Sequence, residues 1–271
     1  MAPLMRTIPF VKMVASGNDF IVVDNRRKII SNPVQFAKNA CAVHTGIGAD
    51  GVLLFESSRK AKFKMRIINS DGSEAEACGN GFRCIALYAR EYHRYPASFQ
   101  FESLSGIIRA DVNKSQVRVQ LVKPSEYRES DIHVMGHRLH YSFINTGVPH
   151  TVIFVEGLGT IDVQNLGKAI RYHKDFSPKG TNVNFVEVKG PAEIHVRTYE
   201  RGVEAETLAC GTGSTASAVI SAISGYTKSP VKVKTSGGEI LKIGFKINGT
   251  DVSDTTLEGQ ARIVYEGKIS L

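Results

Sequence analysis

"EAEACGNGFRCIALYA", residues 74–89, and "AETLACGTGSTASAVIS", residues 205–221, carry the same A-C-G-x-G phrase, each time ahead of an apolar run. Sliding the 271-residue chain by 132 positions lays Cys78 on Cys210, Gly79 on Gly211 and Gly81 on Gly213 without a gap. The same offset superposes Glu74 on Glu206, Ala77 on Ala209, Gly106 on Gly238 and Ile108 on Ile240. Coincidence at both ends of such a span indicates internal duplication, and the offset is close to half the chain length. The sequence therefore reads as two copies of one fold, each with a cysteine at the start of a helix.

The elements around the phrases support that reading. "FVKMVAS" and "FIVVDNR" read as strands across a "GND" turn, and "GVLLFES", "KFKMRIIN", "SFQFES", "GIIRADV" and "QVRVQLV" as further strands. Helices are predicted at 33–44, where Pro33 sits in the first turn, and at 82–93. The polar texture of "KPSEYRES", residues 123–130, marks a boundary. Beyond it come a hairpin over 131–145, strands at 151–157, 181–188 and 193–200, and helices at 163–173 and 214–224. The expected domains are 1–124 and 125–261, with a last strand over 262–271 packing back on the first half.

Composition sets the class. Hydrophobic content of 42% and charged content of 22% suit a globular chain, with disorder expected only in the first few residues. No run approaches the ~18 apolar residues of a membrane span. Arg6 and Lys12 interrupt the apolar start, unlike a secretory signal. A soluble, unexported, cytoplasmic protein is expected. The +8 charge is dispersed, so it reads as a solvated surface attracting carboxylates, not as a nucleic-acid tract. Four cysteines are too sparse for a disulfide framework, and the five residues between Cys78 and Cys84 do not match zinc spacing. Free thiols follow, with Cys41 and Cys84 read as packing residues.

The chemistry follows from the helix starts. The first turn of a helix has unpaired N–H groups and partial positive charge, so glycines there admit an anion. A cysteine at that place has a stabilised thiolate. If two such thiols flank one molecule, one removes a proton from a carbon and the other returns one to the opposite face, which inverts the centre. Helix N–H groups would stabilise the charge developing on an adjacent carboxylate. Other classes fit less well. C-x-x-C is absent, and "GTGSTA" lacks the last glycine of a dinucleotide fingerprint. A cysteine hydrolase using His44, His150 or His195 leaves the second cysteine unexplained. A non-enzymatic basic binding protein on a duplicated scaffold is the alternative of a different class.

"SGNDF", "NSDGSEAEACGNGFRC", "GVPH", "TNVNF" and "YERGVEAETLACGTG" resemble, in order and over nearly the whole chain, the signature blocks of the diaminopimelate epimerases. The resemblance implies an α/β (α+β) fold of two pseudo-symmetric domains, each a curved, mostly antiparallel sheet around a central helix, and commonly a homodimer. It also implies epimerisation between LL- and meso-diaminopimelate without metal or other cofactor, and with no nucleic-acid or membrane partner. Cys78 and Cys210 would be the acid–base pair, with His150 and Glu200 tuning the thiols. Substrate contacts would fall to Asn18, Asn69, Gly79, Asn80, Asn182, Glu200, Arg201, Gly211 and Thr212. Asn can serve both ammonium and carboxylate groups, and Arg201 can grip a distal carboxylate with two parallel bonds.

Three positions depart from the pattern. Val148 stands where many members have Asn, and Gly51 where some have Gln. The stretch from Arg201 to Cys210 is one residue longer than the commoner form. A related cofactor-independent racemase, of proline or histidine type, is the nearest alternative.

Overall fold

The computed structural model describes residues 7–270. The expectations for the first few residues and for Leu271 lie outside the described residues. The chain divides into two units, one running to Val119 and resuming at Gly259, the other spanning Gln120–Glu258.

The first unit opens with strands β1 (Thr7–Ala15) and β2 (Asn18–Asp24). The helix α1 (Pro33–Ala40) then crosses over to β3 (Gly51–Glu56), which pairs in parallel with β2. β4 (Lys64–Asn69) returns antiparallel, and the two-residue β5 (Glu74–Ala75) leads into α2 (Gly79–His93). The strands β6 (Ser98–Ser103), β7 (Gly106–Asn113) and β8 (Gln116–Gln120) close the series, antiparallel in turn.

The second unit repeats the order. It runs β9 (Ser125–Val134), β10 (His137–Asn145), β11 (Pro149–Phe154), α3 (Val163–Arg171), β12 (Asn182–Gly190), β13 (Glu193–Glu200), β14 (Ala205–Thr207), α4 (Gly211–Ile223), β15 (Val231–Lys234), β16 (Ile240–Asn248) and β17 (Asp251–Gln260). Again the strands flanking the crossover helix, β11 and β12, are parallel, and most other pairs are antiparallel. The 132-residue offset carries nearly every element of one unit onto its counterpart. One strand breaks the sequential order. β10 is flanked by β9, which precedes it, whereas β1 is flanked by β18 (Arg262–Ser270), the last strand of the chain.

In each unit the cysteine-capped helix is the buried one. Residues Gly79–Ala89 of α2 are all buried, Phe82, Ile85 and Leu87 among them, and the helix packs on β1, β2, β3 and β7. α4 is buried from Gly213 to Ser221 and touches β10 to β13, β15 and β16. Small residues suit a helix enclosed on all sides, and its Thr215 and Ser221 hydroxyls donate one turn back to the Gly211 and Ser217 carbonyls. A second core layer lies under each crossover helix: Phe36, Ala37 and Ala40 pack on Ile21, Val23 and Leu54, and Val163 and Ile170 on Val183, Phe185 and Tyr199. Cys41 lies in the first of these layers, where burial pushes its thiol up to about 11, and Cys84 is fully buried in α2. Both are packing residues.

Boundaries differ from the sequence reading in three places. α2 and α4 begin three residues earlier than expected, at Gly79 and Gly211, because the cysteine before each is the cap. α1 stops at Ala40, where the chain turns back and Gly46 lies against the Asn39 and Ala40 carbonyls. The polar stretch from Ser125 is strand, since β9 lies on one side of β10 with its outward residues in solvent and Arg128 stacked 3.7 Å over Phe143. Among the described residues no helix is long and apolar enough to cross a membrane.

The crossover helix of the second unit packs on its sheet through Gly167. A methyl group at Gly167 would lie 2.5 Å from Cβ of Tyr199, whereas one at Gly159 meets nothing within 4 Å. Gly167→Ala should lower unfolding stability by about 1–3 kcal/mol through overpacking. Urea denaturation against Gly159→Ala as the control checks this, and equal stability of the two variants would refute the close approach.

Candidate active site

The candidate residues fall into two sets, one in each unit. The first contains Asn18, Asn69, Cys78, Gly79 and Asn80; the second contains His150, Asn182, Glu200, Arg201, Cys210, Gly211 and Thr212. The 132-residue offset pairs them. Asn18 corresponds to His150, Asn69 to Arg201, Cys78 to Cys210 and Asn80 to Thr212. The scaffold is repeated while the chemistry of most paired positions differs.

Both cysteines cap helices. Cys78 and Cys210 have extended backbones, and each sulfur accepts from the N–H three residues on, Gly81 and Gly213 respectively, at 3.4 Å. The Thr212 hydroxyl is also 3.4 Å from the Cys210 sulfur. A thiol is a weak acceptor, so these caps bind more firmly when the sulfur is ionised. The second glycine is a packing requirement in the later phrase and a tight fit in the earlier one. A methyl at Gly213 would lie 2.3 Å from Oδ1 of Asn184, and one at Gly81 would lie 3.3 Å from Leu53. Each approach to a cysteine is clamped by a two-pronged arginine. Arg66 grips Glu74 at 2.7 and 2.8 Å, and Arg197 grips Glu206 at 2.8 and 2.7 Å. The forks hold these glutamates below the usual carboxylate range, against the opposing effect of burial.

In the first unit a directed chain of side chains links the β1–β2 turn to the helix start. The buried Arg83 donates to Ser16 and, at 2.8 Å, to Oδ1 of Asn80. Nδ2 of Asn80 donates to Oδ1 of Asn18 at 2.6 Å, and Nδ2 of Asn18 donates to Asp50 at 2.8 Å. A guanidinium only donates and a carboxylate only accepts, so the orientation of both amides is fixed from the two ends. Each amide retains one further N–H. Asn69 donates to the Ser73 hydroxyl at 2.9 Å and takes no part in the Asn18–Asn80 chain.

In the second unit His150 is fully buried on β11 beside Asn182 on β12. Asn182 donates to the Pro149 carbonyl at 2.9 Å and accepts from the Arg201 backbone N–H at 2.8 Å, holding the start of the loop. Glu204 ties this loop down. One of its oxygens accepts from Arg171 at 3.2 Å and from the Gly202 N–H at 3.0 Å, while the other lies 3.4 Å from the Tyr199 hydroxyl. The Glu204 N–H returns to the Glu200 carbonyl at 2.8 Å. Burial acts to raise the Glu204 carboxyl, but these donors outweigh it and leave it lowered. Arg201 reaches the Lys179 carbonyl at 3.2 Å. The Thr146 hydroxyl donates to the carbonyl of Thr212 at 3.1 Å, bracing the helix start from β10's end.

One of the departures gains a physical account. A side chain at Gly51 would begin 2.9 Å from the Ile68 carbonyl, so β3 and β4 leave no room for one. Val148 lies in the turn closed by the Thr146 N–H on its own carbonyl. Sequence reasoning missed Asp50, Arg83, Asn184 and Glu204. Arg83 lies one helical turn after Asn80, and Asn184 shares a strand face with Asn182, so both spacings were available. The 132-residue offset would have proposed Asp50 as the counterpart of Asn182. Among the described residues no group of three or more His, Cys, Asp or Glu is arranged to hold a metal.

Comparison with known proteins agrees with this architecture. Solved structures of similar fold include a phenazine biosynthesis protein of the PhzF family from Bacillus anthracis (TM-score 0.76, 16% identity, covering 98% of this chain and 100% of that one). A hydroxyproline epimerase from Agrobacterium vitis has a TM-score of 0.69 at 14% identity, covering 98% and 93%. At these identities the likeness is one of fold. Sequence relatives are nearer. A diaminopimelate epimerase of Aquifex aeolicus is 45% identical, covering 96% of this chain and 97% of the relative. One of Methanocella arvoryzae is 43% identical, covering 98% of each. The family model described as diaminopimelate epimerase matches residues 10–126 and again 142–264. With the model matched once in each half and the relatives aligned over nearly the full length, this chain belongs to the diaminopimelate epimerase family.

Proposed function

We propose that this protein interconverts LL- and meso-diaminopimelate by two-base proton transfer at Cα, on the route to lysine and peptidoglycan precursors. It works as a cytoplasmic homodimer without metal or organic cofactor, and without a nucleic-acid or membrane partner. The observation that carries the reading is the pair of cysteine-capped helix starts, each inside one of the two stretches matched by the family model. Each half, 1–124 and 125–261, contributes one reacting sulfur.

The proton balance is closed. One thiolate takes the Cα proton, forming S–H as the C–H bond breaks, and the electron pair passes into the adjacent carboxylate. The other thiol gives its proton to the opposite face, so the two sulfurs exchange protonation states in each turnover. Their roles reverse with the direction of reaction. N–H groups of the α2 and α4 starts, including those of Gly79 and Gly211, stabilise the enolate-like charge. Asn18, Asn69, Asn80, Asn182 and Thr212 serve the ammonium and carboxylate groups, Arg201 the distal carboxylate, and His150 and Glu200 tune the thiols.

Incubation in deuterated water with LL-diaminopimelate and a panel of other amino acids tests this. Diaminopimelate should gain label at Cα with inversion; selective labelling of proline or histidine would transfer the reading to a related racemase. Cys78→Ser and Cys210→Ser should each abolish epimerisation while keeping or raising the melting temperature, because a hydroxyl is the better helix cap. Near-normal turnover of the deuterium-labelled assay by either variant would sink the two-base assignment. The Glu204 clamp supports a further expectation. Glu204→Ala should raise KM for diaminopimelate roughly tenfold, with a smaller change in kcat, by freeing the loop that carries Arg201. Steady-state kinetics check this, and an unchanged KM would show that the clamp does not serve binding.

A further inference from the structure

His150 makes one side-chain contact that fixes its chemistry. Its Nδ1 lies 3.2 Å from Nδ2 of Asn184. The same Nδ2 donates to the Thr151 carbonyl at 3.0 Å, and Oδ1 of Asn184 accepts from the Thr198 hydroxyl at 3.0 Å. A backbone carbonyl only accepts, so the NH2 end of the amide must face Thr151. That NH2 only donates, so Nδ1 of His150 must be the acceptor and carries no proton. A charged imidazole, with hydrogens on both nitrogens, does not fit this contact.

We infer that Asn184 holds His150 as the neutral tautomer with its proton on Nε2, so that His150 acts as a hydrogen-bond donor to an anionic acceptor and not as a base. Asn184 is a positioning residue, acting through His150. Three further observations agree. Nε2 is buried and meets no acceptor among the described residues, and a donor left so carries its desolvation cost until an acceptor arrives. Burial, and then the nearby Arg201 cation, pushes the imidazolium down to about 3, which keeps the ring neutral at working pH. A Cβ at Gly213 would lie only 2.3 Å from Oδ1 of Asn184, so the amide packs directly against the Cys210 turn. The tautomer stands by itself; the donor's part in turnover rests on the epimerase reading. Two anions could receive this N–H, a substrate carboxylate or a thiolate, and both present the same acceptor chemistry.

NMR of the full chain labelled with 15N at histidine tests the inference without substrate. His150 should show a protonated, pyrrole-type Nε2 and an unprotonated Nδ1, unchanged between about pH 5 and about pH 9. A proton on Nδ1, or titration near the ordinary histidine value, would overturn it whether or not the protein turns over diaminopimelate. Absence of turnover with the expected tautomer would instead count against the epimerase reading alone. Asn184→Asp replaces the donor by a pure acceptor, so the nitrogen pattern should invert and kcat should fall roughly a hundredfold, the loss typical of an aimed donor. Loss of activity with the nitrogen pattern unchanged would make Asn184 merely structural and overturn its positioning role. The acceptor is identified by two arms. A shift of the Nε2 proton on adding diaminopimelate at fixed pH assigns the carboxylate. A shift in the ligand-free protein on raising pH, absent from the cysteine-to-serine variants, assigns the thiolate. No shift in either arm would refute the donor role.

Discussion

A helix surrounded by sheet satisfies its backbone everywhere except at its ends, and the amino end of such a helix cannot turn to bulk water for help. Most of this structure can be traced to that constraint at α2 and α4. The first turn must be capped from nearby, the residue three after the cap must be small because Leu53 or Asn184 packs against it, and the preceding loop must arrive in an extended conformation. Ser, Thr, Asp or Asn would cap the turn better. Placing sulfur there gives up cap strength and leaves N–H groups that favour the ionised atom. The bidentate Arg66–Glu74 and Arg197–Glu206 pairs then hold each incoming strand in register with its neighbour.

Duplication supplies the scaffold twice, but the two copies have diverged where chemistry is needed. The first copy surrounds its helix start with amides oriented between a guanidinium and a carboxylate. The second places an imidazole, a threonine hydroxyl and a loop arginine at the matching positions, with Glu204 holding the loop down. A reaction that inverts a stereocentre needs similar groups on two faces, whereas a substrate with two unlike ends needs different contacts around them. Repetition with local divergence meets both demands.

Much of this was legible in the sequence, for physical reasons that also explain the omissions. Alternating apolar residues revealed the strands, and the repeated cysteine phrase revealed the duplication and both cap positions. Helix starts were read three residues late because Gly79, Gly81, Gly211 and Gly213 have poor helix propensity, which enclosure and capping override. Arg83, Asn184 and Glu204 look like ordinary polar residues along the chain. Their importance lies in what they touch, Ser16 and Asn80, His150 and Thr198, Arg171 and the Gly202 N–H, and most of those partners lie far off in sequence. Strand polarity misled for a related reason: Ser125–Ser130 looks like a linker because both faces of this part of β9 are largely exposed, and burial begins only at Ile132.

The pairing of β18 with β1 has a consequence for how the protein comes into being. On a ribosome, β1 emerges long before β18, and the whole second unit is made in between. At ordinary synthesis rates of about 5–20 residues per second the wait is on the order of tens of seconds. Throughout it, one edge of β1 presents unpaired backbone beside Phe10 and Val11, the kind of surface on which chains associate wrongly. The second unit has no such interval, since β9 is made just before β10. The half that is translated first is therefore the half that is finished last.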